Sequence, residues 1–217
     1  MDRLTDTRIQ KMSDLIEDYL NCLNSIKETF TSNFNLLKRV EIIAKKSLKS
    51  FISKNNINIK DIDSISPLQA KELKTIIKRI ERTELAAVIF PQSMLVSLVS
   101  QYDYLIGQLI QFVYSVNPNL LNDSNSQISY KELFAYNDIS AIKGKIIQDK
   151  VETILRKSHD DQLTDLQNLS GIKTLKGVSF WKEFIEITQR RNLLVHCKGC
   201  VSEQYVNECA KVGVAPL

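Results

Sequence analysis

"SMLVSLVSQYDYLIGQLIQFVYSV", Ser93 to Val116, decides the fold class. Leu95, Val99, Tyr102, Ile106, Leu109, Ile110 and Val113 recur at three- and four-residue steps, which gathers them on one face of a helix turning about 100° per residue. The segment predicts a long central helix in a bundle. Just upstream, Pro91 predicts a kink, and Ser66-Pro67 supplies an N-cap followed by a proline at the first helical position. A helix is therefore expected to start at that pair and run toward Glu84.

Working toward the N-terminus, Ile9, Met12, Ile16, Leu20, Leu23, Ile26 and Phe30 keep helical spacing, and a second run holds Leu36, Leu37, Val40, Ile43 and Leu48. Residues 7–53 are expected to form a helical hairpin. Lys38, Arg39, Lys45, Lys46 and Lys49 on its second arm read as a solvated face, because no aromatic residues interleave them as in a nucleic-acid groove. The polar stretch "NNINIKDIDS", residues 55–64, predicts a linker. The organisation expected is thus an N-terminal hairpin over 1–62 and a helical bundle domain over 63–217.

Beyond the central helix, "NPNLLNDSNSQ" reads as a loop. Ser129 and Ser140 are candidate caps for a short helix and for a longer one through Leu155, and another helix follows His159. A further helix is expected after Gly177, and Ser202 caps a last one that ends at Gly213. No repeat and no heptad run long enough for an extended coiled coil is visible.

Composition agrees with an all-α helical bundle. With 6 Gly and 4 Pro in 217 residues there are few helix breakers, and 43% hydrophobic with 25% charged residues is ordinary for a globular chain. The net charge of +4 permits a polyanionic partner without demanding one. No uninterrupted apolar run reaches the roughly 18 residues of a membrane span, and the start lacks the apolar core of a signal peptide, so a cytoplasmic protein without membrane contact is expected. The 4 Cys do not form a secreted disulfide framework.

Chemistry concentrates in "EITQRRNLLVHCKG", Glu186 to Gly199. On a helix from Phe180, the residues Phe180, Phe184, Ile187 and Leu194 fall in one stripe, and Arg191 falls in its middle. A guanidinium there needs an anion, since an unpaired charge in an apolar setting costs several kcal/mol. The partner is either a carboxylate of the chain, with Asp103 and Glu186 as candidates for Arg191 or Arg190, or a phosphate, which suits the planar fork of arginine. His196 lies about 140° further around an ideal helix. The two side chains would meet only if the last turn loosens near Val195 or if a second copy of the chain packs against the first.

The segment "RNLLVH", Arg191 to His196, resembles the signature of the HEPN superfamily, an arginine and a histidine four to six residues apart with a polar residue after the arginine. The flanks "FIEITQRRNLLVHCKGCVSEQYV" and "SQYDYLIGQLI" resemble two helices of bacterial HEPN domains, and the likeness spans about Ser66 to Cys209. It implies a bundle of four or more helices, dimerised so that two motifs line one cleft, and a metal-independent endoribonuclease of toxin–antitoxin or phage-defence systems that needs no cofactor. Under that resemblance His196 acts as general acid or base at the ribose 2′-hydroxyl and the 5′-oxygen, Arg191 holds the scissile phosphate, and Asn192 orients Arg191 or the substrate. Arg190 and Lys198 are expected to add contacts to an RNA substrate. The implied partners are RNA, a second copy of the chain and an antitoxin or defence protein. Lys198 stands where one subgroup carries a tyrosine modified by its antitoxin. A non-catalytic HEPN module that binds RNA, nucleotide or protein is the alternative.

Two competing constellations are weaker. His196, Cys197, Cys200 and Cys209 offer soft ligands, but the spacing is irregular and adjacent ligands are awkward, so no metal site is expected and the cysteines read as packing residues. His159 in "KSHDDQ" could approach a cysteine in space, with nothing in the sequence to bring it there.

Overall fold

The computed structural model describes residues 2–57, 65–123, 127–136, 138–173 and 175–215. Among them the chain is all-helical, with α1 (Asp2–Lys54), α2 (Pro67–Val116), α3 (Tyr130–Leu133), α4 (Ile139–Leu155), α5 (His159–Ser170), α6 (Trp181–His196) and α7 (Glu203–Val212). Two compact units result, one of Met1–Leu20 with Val96–Leu217 and one of Asn21–Leu95. The expected border between residues 62 and 63 lies outside the described residues.

The hairpin expected within 7–53 is not formed there, because α1 is one helix of 53 residues. Nothing in that stretch breaks a helix: it holds neither glycine nor proline. The polar interruption between its two apolar runs is absorbed, as the Thr31 hydroxyl donates to the Lys27 carbonyl and the Asn33 amide to that of Thr29. The second arm is instead the start of α2. In the smaller unit Phe30 stacks on Phe90 at 5.8 Å, Lys45 pairs with Glu84 at 2.9 Å, and Gln69 donates to Asn55 at 3.2 Å. Rising numbers on α1 meet falling numbers on α2, so the arms are antiparallel. The cations Lys38, Arg39, Lys45, Lys46 and Lys49 are exposed, as the solvated reading requires.

Ser66 opens α2 by a reciprocal cap, its hydroxyl accepting from the Gln69 backbone while the Gln69 side chain accepts from its own N–H. The helix continues through Pro91, where the missing N–H leaves the Ala87 carbonyl without its usual helical donor. Leu85, Val88 and Ile89 remain exposed. By length and composition α2 is also long and apolar enough to cross a membrane, with 11% of the relevant window buried. Counting uninterrupted apolar residues misses this, because Gln92, Ser93, Ser97 and Ser100 interrupt the run without adding charge.

In the larger unit the central helix is found where the periodicity predicts it. Ile106, Ile110 and Tyr114 of α2 are buried against Ile154 of α4 and Leu163 and Leu166 of α5, with Tyr102, Leu109 and Val113 at the margin. Each such side chain stabilises the fold by about 1.5–3 kcal/mol. Gly107 lets α4 come close: a Cβ there would stand 3.2 Å from Leu155 Cδ1.

Two of the three expected serine caps are found: Ser129 caps α3 in a full capping box with Glu132, and Ser202 caps α7, which ends at Gly213; α5 is capped by Ser158, which the reading did not single out. For α4 the cap is Asp138 in place of Ser140, its carboxylate accepting from the Ala141 N–H at 2.7 Å. A carboxylate at that position also complements the helix dipole. The loop after α2 contains a 3-10 turn over Pro118–Asp123.

Candidate functional site

Helix α6 is buried on a different line from the one its apolar residues suggest. Ile185, Glu186, Thr188, Gln189 and Leu193 are its buried residues, whereas Phe180 is the N-cap and 61% exposed. The cause is packing on more than one side. Leu193 packs with Tyr205 and Cys209 of α7, while Phe184 lies 4.5 Å from the Tyr102 ring of α2. A helix covered on several sides buries polar residues too, and a one-stripe reading cannot mark them.

Arg191 finds its anion inside the chain. Its Nη2 donates to Asp103 Oδ2 of α2 at 2.9 Å, and its Nη1 donates to Asn192 Oδ1 at 2.9 Å. Nε of Arg191 is buried without a hydrogen-bond partner. Asn192 in turn reaches Gln189 Oε1 at 3.4 Å. Asn192 thus touches the side chain that it is expected to orient.

The other oxygen of Asp103 serves a residue that the sequence did not single out for this place. His159, the first residue of α5, has Nε2 3.0 Å from Asp103 Oδ1. A carboxylate only accepts, so Nε2 is the protonated ring nitrogen in that contact and Nδ1 is the one left for other work. The ring is 6% exposed and sits against Tyr102 at 5.8 Å and Phe184 at 6.4 Å. Burial, with the Asp103 charge adding to it, pushes the neighbouring Tyr102 phenol up, and its hydroxyl has no hydrogen-bond partner. Two ties hold α5 in place beneath this group. Gln162 donates to the carbonyls of Leu155 and Lys157, and Asp160 accepts from Trp181 Nε1 at 3.1 Å and from Lys176 at 2.7 Å.

Asp103, His159, Gln162, Gln189, Arg191 and Asn192 line a polar cleft of about 450 Å³, whose rim carries Arg156 and Lys157. Lys157 is held by Asp165 at 2.7 Å, and that hydrogen bond raises its pKa. A larger hollow of about 740 Å³ lies between the 3-10 turn, α3 and α4, where Lys145 is already paired with Asp149. Its lining holds Lys143, Lys150 and Glu132 but no histidine or arginine, whereas the smaller cleft brings a histidine, an arginine and a carboxylate together.

The remaining expected site residues lie elsewhere. His196 is the last residue of α6, exposed, and outside the lining of the cleft. The helix holds through it, with the Cys197 N–H bonded to the Leu193 carbonyl, so the last turn does not loosen to bring His196 to Arg191. Arg190 is bound to buried Glu186 through Nε and Nη2 at 2.8 to 3.0 Å, and Tyr205 donates to the same carboxylate at 2.7 Å. Arg190 is thus paired within α6 to the carboxylate that Tyr205 of α7 also reaches, and its side chain is 43% exposed. Lys198 is exposed at φ 51 in the turn after α6, followed by Gly199 at φ 80. Of the cysteines, Cys209 is buried and its thiol pushed up by that burial, which fits the packing reading, while Cys200 is exposed. Among the described residues no three His, Cys, Asp or Glu side chains are grouped to hold a metal ion.

No protein-family model, curated protein or solved structure matches the chain.

Proposed function

We propose that this chain is a metal-independent endoribonuclease of the HEPN kind, working as a homodimer in a toxin or phage-defence role. The observation that carries the reading is the seat of Arg191, a guanidinium in a polar cleft with Asn192 bonded to it. A guanidinium has five N–H groups, and the contacts to Asp103 and Asn192 use two. Nε–H is buried, and the second N–H of Nη1 and of Nη2 can take the oxygens of a scissile phosphate and stabilise the charge that develops on them. His196 supplies the proton transfers between the 2′-hydroxyl and the leaving 5′-oxygen, leaving a 2′,3′-cyclic phosphate. It stands about 140° around α6 from Arg191, so the complete site is built from two chains.

A second reading has its own support. Asp103 already occupies Arg191, and His196 lies outside the cleft, as expected of a module that binds RNA or an acidic partner without cutting. Purified protein incubated with total cellular RNA and tRNA in EDTA separates the two, with His196→Ala and Arg191→Ala as controls. Cyclic-phosphate ends from wild type alone support the enzyme. Binding without cleavage by an intact dimer supports the module.

A further inference from the structure

Asp103 is one carboxylate held on both oxygens by two different elements, Oδ1 by His159 of α5 and Oδ2 by Arg191 of α6. A carboxylate bound on one oxygen can still turn about its Cβ–Cγ bond. Bound on both, it has one plane. His159 is itself immobilised, buried between Tyr102 and Phe184, at the start of a helix whose Asp160 is tied to Trp181 of α6. The supports of Asp103 and Arg191 are thus mutually braced.

We propose that His159 is a positioning residue for Arg191. By donating Nε2–H to Asp103 it fixes the carboxylate plane and, through Oδ2, the direction in which the guanidinium presents its remaining N–H groups to the cleft. The same logic governs metal sites, where a group behind the ligand sets the ligand's orientation. The proposal rests on Arg191 being the phosphate-holding group. A histidine that merely fills space would be replaced equally well by any side chain of similar bulk, whereas a positioning histidine needs its donor. Glutamine keeps an N–H at nearly the reach of Nε2, and leucine removes it.

The test uses the full-length protein with ¹⁵N-labelled arginine, in which the Arg191 side-chain resonance is identified by its loss in Arg191→Lys. The expected result is a restrained guanidinium in wild type and in His159→Gln and a freely rotating one in His159→Leu, before and after titration with inorganic phosphate. On an RNA substrate His159→Leu is expected to lower kcat by about tenfold to a hundredfold with KM little changed, the scale set by a misplaced catalytic group, and His159→Gln to restore most of it. If His159→Leu does not fold, His159→Asn, whose amide is too short to reach Asp103, carries the same expectation. An Arg191 signal in the donor-free variant identical to wild type overturns the proposal. Wild type that cuts no RNA overturns the ribonuclease reading instead, and the arginine signal still decides the role of His159.

Discussion

Arg191 and Asp103 stand 88 positions apart in sequence and meet at 2.9 Å between Nη2 and Oδ2, joining α6 to α2 inside the larger unit. Both side chains are about three-quarters buried, at 21% and 27% exposure. Their pairing is more than a surface ion pair, since removing one partner leaves the other desolvated.

Asp103→Ala strands two groups at once, the Arg191 guanidinium and His159 Nε2. The expected loss is about 2–3 kcal/mol, below the range for a fully buried pair because both residues keep some water contact. Urea denaturation measures it. In a double-mutant cycle with Arg191→Ala the two losses are expected to be far from additive.

The clasp between α6 and α7 depends on one acid. Tyr205→Phe removes the hydroxyl that donates to Glu186 and also bonds the Cys209 thiol, and is expected to lower stability by about 1–2 kcal/mol, whereas Glu186→Ala removes the acceptor of both Tyr205 and Arg190 and is expected to cost about 2–3 kcal/mol. Thermal unfolding of the pair ranks them.

His196→Ala takes nothing from the core, because the side chain is exposed at the end of α6. The melting temperature is expected to stay within a degree or two of wild type, the scale of a surface change. On the ribonuclease reading RNA cleavage falls by about a hundredfold or more. A folded His196→Ala protein with undiminished cleavage sinks the assignment of His196.

Gly107→Leu drives a side chain into Leu155, which already stands 3.2 Å from where a Cβ would begin. Helix propensity favours the change by about 0.8–1 kcal/mol, but overpacking at the α2–α4 contact typically costs about 1–3 kcal/mol. Net destabilisation is therefore expected, read as a lower urea midpoint with an unchanged slope.

Local signals in the sequence carried the helices well. Apolar spacing marks α2 from Leu95 to Val113, and the serines before α3 and α7 mark their starts. The continuity of α1 was hidden, since polar residues between two apolar runs resemble a turn until Thr31 and Asn33 are seen bonded back to carbonyls of their own helix. In the site, an arginine among apolar residues asks for an anion, and Asp103 was one of two carboxylates near enough in pattern to answer. His159 was not legible as its third member. Its contact with Asp103 spans 56 positions, and no periodicity encodes a pairing made by how α5 lies against α2. The buried Thr188 and Gln189 escaped for a related reason, because hydrophobic patterning registers one covered face and α6 has several.

Because Asp103 serves two partners, none of the three positions can drift alone. A descendant chain that loses Arg191 keeps a carboxylate oxygen facing a cleft with nothing to bind, and one that loses Asp103 orphans an imidazole and a guanidinium together. Single steps away from the trio are each worse than the trio, so neutral routes run only through paired replacements. Homologous chains are expected to retain Asp103, His159 and Arg191 as a set or to have exchanged them as one.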